Sequence, residues 1–472
     1  MGTISDKLMR IINTKEDIRQ ALISKGYDVP TSIPFKEYAK MISDLPCRVD
    51  SFPDIEGIVA RYSALGLTNE QMAANPVWVD KTGNGHDLQM KNFAWKEGSG
   101  ISDIYPGALV FDGVDDWAGC DNLPLLPKEK GYSIIALRNW ITRYDATQYK
   151  RPLISNLDTN DEGAFLIEYR KDENVNDVTG SYNSFTDVYI DDNNPITWQT
   201  SSSYNGQIIK KGTSKSTNKL CICKTYFGQL SNYANAAIWE IVILDHDATE
   251  EELTKIKDYF VKTYPWLFPD QAWTVTGKTN EDEDRATIAN ITGNSNDLVL
   301  SNFGFVEGSG YNEEGEYAGY LVTDGVDDKV VSAESIAFTD TWTIITDTVF
   351  LGKVSVASGI LASNIFTVYN YQGSGTIAVT MGEGGSSLRV ITSSIKAFSS
   401  DGTIYDAEWN EYHVEIGTIR ALERLLKIGT SSNETSYFCQ LAFKFLGIYN
   451  NQILSKDDCI KAYNYLQTLK AK

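Results

Sequence analysis

The chain is short of the residues from which most catalytic and metal chemistry is built. Only three histidines occur in 472 residues. His86, His246 and His413 are widely scattered, which excludes a histidine-based metal cluster as a sequence expectation. The six cysteines are Cys47, Cys120, Cys221, Cys223, Cys439 and Cys459. They are sparse and do not recur at matched positions, so no disulfide framework is expected, and folding in a reducing cytosol is. Positive charge is also scarce. Lys and Arg number 42 against 63 Asp and Glu, for a formal net charge of −21. That balance excludes the cationic footprint that nucleic acids or anionic membrane surfaces require. No uninterrupted apolar run approaches the ~18 residues of a membrane-spanning helix. The opening segment, Met1 to Lys7, has no apolar signal core, and Asp6 breaks the myristoylation pattern. Heptads, a nucleophile elbow and a phosphate-binding glycine loop are missing as well.

What the chain does have is a repeat. Thr82-Gly83-Asn84-Gly85-His86-Asp87-Leu88 runs through Asn92-Phe93 to Glu97-Gly98-Ser99-Gly100. Thr292-Gly293-Asn294-Ser295-Asn296-Asp297-Leu298 runs through Asn302-Phe303 to Glu307-Gly308-Ser309-Gly310, an offset of 292 − 82 = 210 with 11 of 19 positions identical. A second block, Asp112-Gly113-Val114-Asp115-Asp116, returns as Asp324-Gly325-Val326-Asp327-Asp328 at offset 324 − 112 = 212. A period this long is a domain, not a solenoid unit. Hydrophobic residues at 42% and aromatics at 11% supply real cores.

Three segments follow. Residues 1–48 read as a small helical module. Thr14-Lys15-Glu16-Asp17 caps a helix that Gly26 ends, and Phe35, Tyr38, Ala39 and Ile42 make a second stripe. Its expected role is docking or oligomerisation, with a plain helical cap as the alternative. From about residue 50 strands dominate: Ala108–Phe111, Tyr132–Ala136, Ala237–Leu244 and Trp342–Ile345 are rich in β-branched and aromatic residues and bounded by turn formers. Each repeat then closes alike. Thr249-Glu250-Glu251-Glu252 is a capping box before Leu253, Ile256 and Phe260. Ser455-Lys456-Asp457-Asp458 caps a helix carrying Ile460, Tyr463 and Leu466. The aromatic linker Tyr264-Pro265-Trp266-Leu267-Phe268-Pro269 implies that the two domains pack together. The expected fold is mainly β, a sandwich or jelly roll in each of 57–268 and 269–472.

The run Ala108-Leu109-Val110-Phe111-Asp112-Gly113-Val114-Asp115-Asp116, followed by a late strand and a Thr-Glu-Glu-Glu helix, resembles the concanavalin A-like lectin/glucanase jelly rolls, closest to their laminin-G-like branch. The second copy carries the pattern with Thr323 in place of Phe111. The resemblance implies two tandem concanavalin A-like jelly-roll sandwiches and leaves the ligand open, since this fold hosts many functions. Ile12 to Ala21, then Gly26 and Pro34-Phe35-Lys36-Glu37-Tyr38, is similar to the N-terminal segment of bacteriophage tail and fibre proteins.

The candidate sites are few. A retaining glycosidase needs two carboxylates ~5–5.5 Å apart. Asp282-Glu283-Asp284, Asp172-Glu173 and Glu250-Glu251-Glu252 lack strand spacing and read as solvated charge. Glu411 and Glu415 share one face of a strand-like run but have no counterpart in the first repeat. No catalytic residue is assigned and no enzyme is expected. Cys221-Ile222-Cys223 has no second pair to make a metal or redox site; alternating cysteines on a strand would point the same way from the sheet, and a core or edge position is the expected reading. Asn84 with Trp95, and Asn294 with Phe305, are the glycan-binding candidates, because amide loops beside aromatics hold sugar hydroxyls and ring faces; core packing is the alternative. Asp112, Asp115 and Asp116, with Asp324, Asp327 and Asp328, are the calcium candidates. A hairpin turn, in which Asp-Gly supplies positive φ and the acids bind the loop backbone, is the stronger reading. No other cofactor is expected.

These readings converge on a structural bacteriophage virion protein: a head or tail fibre, appendage or decoration subunit with host surface glycans as candidate ligand. It would fold in the host cytoplasm without a signal peptide and form a homo-oligomer. Other virion proteins would bind its N-terminal module, with no nucleic acid partner and no membrane insertion. The alternative is a carbohydrate-active enzyme or a cell-associated glycan-binding protein.

Overall fold

The computed structural model describes residues 15, 19, 52–126, 130–142, 150–158, 165–170, 186–188, 195–200, 203–204, 207–208, 216–227, 232–352, 358–363, 366–370, 377–381, 387–390, 392, 394–417, 425–430 and 438–471. The chain forms two compact units, Met1–Pro53 and Asp54–Lys472. Lys15 and Arg19 are helical, as the Thr14 cap predicts; the rest of the 1–48 module, Cys47 and Asp172-Glu173 lie outside the described residues.

The larger unit is mainly β, and its four sheets pair off along the chain as tandem sandwiches. The duplication is visible in the topology. Ser133–Trp140 lies along one edge of the long strand Asn235–Leu244, and Ile58–Ser63 and Leu109–Asp112 share the other. In the second half Trp342–Phe350 flanks Leu441–Asn450, and Gln271–Thr274 and Tyr320–Val322 share its other edge. The opposing sheets also correspond. Leu88–Lys91, Trp117–Cys120, Leu220–Ile222 and Lys150–Ser155 run in the order that Leu298–Ser301, Lys329–Ser332, Lys427–Ile428 and Ser358–Ala362 repeat. The copies diverge at the far edge. Thr186–Val188 pairs parallel with Leu166–Arg170, whereas Ile377–Met381 pairs antiparallel with Phe366–Asn370.

Each sandwich buries its own core. The first contains Trp78, Phe111, Trp140 and Phe165; the second contains Trp273, Trp342, Phe366 and Phe398. Trp342 makes edge contacts with Phe338 and Phe398 at centroid distances of 5.5 and 5.9 Å, the arrangement the aromatic quadrupole favours. Alternation is legible along Leu88–Lys91 and Leu298–Ser301, where inward residues are buried and outward ones are not.

Helices α1 (Asn69–Ala74), α2 (Glu250–Thr263) and α3 (Lys456–Thr468) are the α-helices among the described residues of this unit. The α2 capping box forms as expected, Thr249 accepting from Glu252 N and Glu252 accepting from the Thr249 amide at 2.8 Å. Ser455 likewise caps α3. Helix α1, with its Thr68/Gln71 capping box, was not anticipated. Between α2 and the second sandwich the linker is tightly held. Tyr264, Trp266 and Leu267 are buried, and Tyr449 donates from its hydroxyl to the Trp266 carbonyl at 2.9 Å. From α3, Tyr465 packs edge-on against Trp239 of the first sandwich at 6.2 Å, while Tyr463 packs on Phe445 of the second at 5.1 Å. The helices and linker thus form a layer between the two sandwiches, as the linker's aromatics imply.

That layer contains a buried charge pair with no counterpart in the repeat blocks. Arg61 Nε donates to Glu240 Oε1 at 2.6 Å and its Nη2 to the Tyr259 hydroxyl at 2.8 Å. Tyr264 donates to Glu240 Oε2 at 2.7 Å. Glu240 is fully buried, and it sits where the register of Asn235–Leu244 against Ser133–Trp140 slips. The slip puts Ile238 and Ile241 on the core face and leaves Glu240 on the opposite face, where α2 and the linker cover it.

Candidate functional site

The helix layer leaves a cleft of about 810 Å³ between the sandwiches, within the usual size range of ligand pockets. The half-buried Trp198 lines it, on the strand Ile196–Thr200. Helix α2 contributes Glu250, Thr254 and Lys257; the linker ends in it at Asp270; Asn450, which ends the last strand, lines it with Asn451, Gln452 and Thr292. Carboxylate- and amide-bearing residues and threonines therefore line one space with an indole and with the apolar Ile135, Ile256 and Leu267.

Asp270 organises this lining. Its amide donates to Ile448 O at 2.8 Å, and its Oδ2 accepts from the Asn450 amide at 2.6 Å. Its carbonyl accepts from Asn294 Nδ2 at 2.6 Å and from the Thr292 hydroxyl at 3.1 Å. Burial pushes the Asp270 carboxyl above the usual range, against the pull of the Asn450 amide.

The sequence candidates fall differently. Asn84 and Trp95 lie at opposite ends of the strand Leu88–Lys91, and Asn294 and Phe305 at opposite ends of Leu298–Ser301, so neither pair meets. Four residues of strand span about 13 Å. Asn84 Nδ2 donates to Val59 O at 2.9 Å, tying its turn to the first strand. Asn294 does the same to Asp270 and so borders the cleft by holding its wall. Trp95 stacks on Phe93 at 4.8 Å and packs against the core. Phe305 is covered by Tyr311 at 6.4 Å and by the Arg285 guanidinium at 5.0 Å. Glu411 accepts from Tyr405 and partners His413 at 3.0 Å on an edge strand, with Glu415 exposed beyond it. Cys221 and Cys223 are both buried, as a core position requires, but they do not alternate on one strand. Strand Leu220–Ile222 ends before Cys223, whose φ of +57° breaks the alternation. Cys223 joins the core with Leu220 and Ile222, and Cys221 is buried outside that cluster. Sequence reasoning missed Trp198, Asp270 and Asn450–Gln452, because their meeting depends on how two sandwiches pack.

The acidic blocks hold their own turns. Asp112, Asp115 and Asp116 bring carboxylate oxygens within 4.8 Å of one another, as do Asp324, Asp327 and Asp328, a spacing suited to a hard cation. One oxygen of each of Asp112, Asp116, Asp324 and Asp328 is committed to the turn backbone, while Asp116 Oδ1 and Asp328 Oδ1 are buried without a hydrogen-bond partner. Asp112 Oδ1 accepts from the amides of Val114, Asp115 and Asp116 at 2.8, 3.2 and 3.2 Å. Asp116 Oδ2 accepts from the Asp112 amide at 3.1 Å. Asp324 and Asp328 repeat the pattern. Gly113 has φ +76°, and a Cβ there would lie 2.7 Å from Asn235 Cβ. Asn92 Nδ2 donates to the Asp115 carbonyl and Asn302 Nδ2 to the Asp327 carbonyl, both at 3.0 Å. Ser99 and Ser309 accept from Ala94 and Gly304 amides at 2.8 Å. The two repeat blocks are thus one framework: Asn92 and Asn302 of the first block clasp the Asp-Gly turn of the second. Calcium or EDTA should leave the melting temperature unchanged. Asp112→Ala and Asp324→Ala should each cost about 1–3 kcal/mol by orphaning turn amides. A chelator-dependent melting shift would restore calcium.

Burial also pushes Asp116 and Asp328 up to about 6, partly opposed by their hydrogen bonds. A carboxyl raised above its unfolded value contributes stability that is complete below the unfolded pKa and is lost as pH rises through about 6. An Asp116→Asn/Asp328→Asn variant should therefore gain on the parent between pH 4 and pH 7, by about 1 kcal/mol per site after discounting for solvent screening. Parallel melting curves across that range decide it; a constant gap contradicts it.

No family model matches the chain, and no curated protein matches it. Solved structures do. Trypanosoma rangeli sialidase in complex with 2,3-difluoro-KDN is 10% identical over 49% of this chain and 41% of that one, with a TM-score of 0.31. The chain thus spans about two-fifths of the sialidase's length. Botulinum neurotoxin type C, in a structure concerned with interaction with two ganglioside molecules, is 11% identical over 82% of this chain and 98% of that one, TM-score 0.32. The binding domain of botulinum neurotoxin serotype D/C is 9% identical over 82% and 99%, TM-score 0.32. At these TM-scores the likeness transfers no activity. It does overturn the expectation that enzymes can be set aside, since sialidases stand among the matches beside toxin binding domains. The tandem β-sandwich architecture stands on the sheets themselves.

Proposed function

We propose that this chain binds glycans, taking a saccharide in the cleft between its sandwiches. The observation that carries the reading is the lining: Trp198 shares a space of about 810 Å³ with Asp270, Thr292, Asn450, Asn451 and Gln452. A pyranose has an apolar C–H face and a rim of hydroxyls. An aromatic ring suits the first, and amide and carboxylate groups suit the second. The sialic acid analogue and gangliosides named with the matched structures are compatible with this class of ligand. A glycan array probed with the intact chain tests it, with binding to at least one saccharide class, weakened by Trp198→Ala, as the expected outcome. Glu250 and Asp270 line the same cleft, so release of reducing sugar belongs in the same screen.

The finer assignment rests on sequence alone. The segment from Ile12 to Tyr38 supports a phage appendage, with 1–48 docking to other virion proteins or joining copies, and 57–268 and 269–472 presenting the sandwiches to a host surface. A labelled antibody on purified particles tests the location. The mass of the intact protein with and without residues 1–48 tests the oligomer.

A further inference from the structure

A second cluster lies outside both cores, and it begins with a strained residue. Trp409 has φ +62°, a region that bulky side chains rarely occupy. Its turn is over-determined. Asp406 Oδ1 accepts from the Glu408 and Asn410 amides at 3.0 and 2.8 Å, and Oδ2 from Asn410 Nδ2 and the Tyr412 hydroxyl at 3.0 and 3.1 Å. Such strain persists only where the surroundings impose it, and it concentrates at functional sites. Trp95 and Phe305 also have positive φ, at 53° and 51°, but their rings pack against the cores. The indole of Trp409 instead meets Tyr463 edge-on at 5.6 Å, with the Lys396 ammonium 5.2 Å from its centroid.

The cluster continues across neighbouring strands of this sheet, beside α3. Lys396 Nζ also lies 4.8 Å from the Tyr463 ring, and Lys444 Nζ 5.2 Å from that of Tyr320. Both tyrosine hydroxyls converge on the buried Asp347, Tyr320 donating at 2.9 Å. Burial raises the Asp347 carboxyl, and the two lysines pull it back. Among the described residues neither ammonium has an ion-pair contact with a carboxylate. Two half-buried cations facing π surfaces are unexpected in a chain of net charge −21.

We propose that Lys396, Lys444 and Trp409 form a second saccharide site, selective for a sugar bearing a carboxylate. The ammonium groups receive the carboxylate and the indole the apolar ring face, while Asp347 fixes the tyrosines beneath. This site stands apart from the cleft and does not depend on it.

The probes are an oligogalacturonate and its methyl ester, titrated by NMR or calorimetry into the intact chain. They share every hydroxyl and differ in charge. The acid form should bind about 10-fold more tightly, and added salt should erase that margin. Lys396→Met and Lys444→Met keep the aliphatic stems; each should weaken the acid form about 10-fold and leave the ester unchanged, with the melting temperature held. Trp409→Gly, which the left-handed turn accepts without strain, should weaken both forms without loss of stability. Equal binding of acid and ester, no binding of the acid, or lysine variants that bind as the parent does would each overturn the proposal. So would loss of acid binding on Trp198→Ala with the lysine variants unaffected. If Trp409→Gly fails to fold, the lysine variants decide.

Discussion

Glu240→Ala should be the most damaging single change in the β unit. The substitution leaves Arg61 buried without its carboxylate, because the guanidinium is held at 2.5–2.6 Å from Glu240 Oε1 and is 6% exposed. Breaking a buried pair from one side costs about 3–5 kcal/mol, most of it the desolvated charge left behind. Tyr264, itself buried, loses the oxygen to which it donates. For a unit this large the melting temperature should fall by about 3–6 °C. Replacing both partners, Arg61→Met with Glu240→Leu, should recover most of that loss, since a well-packed apolar pair is often as stable as a buried ionic one. A double variant as unstable as the single one would mean that the bulge itself, rather than the charge, organises the layer.

Trp198→Ala should have the largest effect on binding. Aromatic anchors at the centre of a binding surface commonly contribute about 2 kcal/mol or more, and 1.4 kcal/mol is tenfold in affinity. A loss of about 10–30-fold in saccharide affinity is therefore expected. Trp198 is half-buried at the cleft rather than in either core, so the variant should fold, and the effect should separate cleanly from stability.

The division between what was and was not legible in the sequence has a physical basis. The duplication, the strands Ser133–Trp140, Asn235–Leu244 and Trp342–Phe350, and the capped helices α2 and α3 are written in local patterns: alternation, β-branched runs and capping boxes. The Asp-Gly turns are equally local, since each carboxylate bonds amides two to four residues away. The cleft is not local. Asp270 and Asn450 are 180 residues apart, and Trp198 comes from the other sandwich. No periodicity reports such a meeting. The shared residues Asn84 and Asn294 looked like ligand groups because repeats preserve them, yet what they preserve is the clasp between a turn and the first strand of each copy. Glu240 was hidden for another reason: on a strand whose neighbours are apolar, only the register slip turns its side chain toward Arg61.

The account stands or falls on the cleft, and the most direct measurement is a saccharide affinity on the intact chain beside the same measurement on Trp198→Ala. It predicts that a saccharide found on an array binds the parent in solution, that Trp198→Ala weakens it about 10-fold or more, and that the melting temperature is unchanged. If no saccharide binds, or if the variant binds as tightly as the parent, the cleft is not the site.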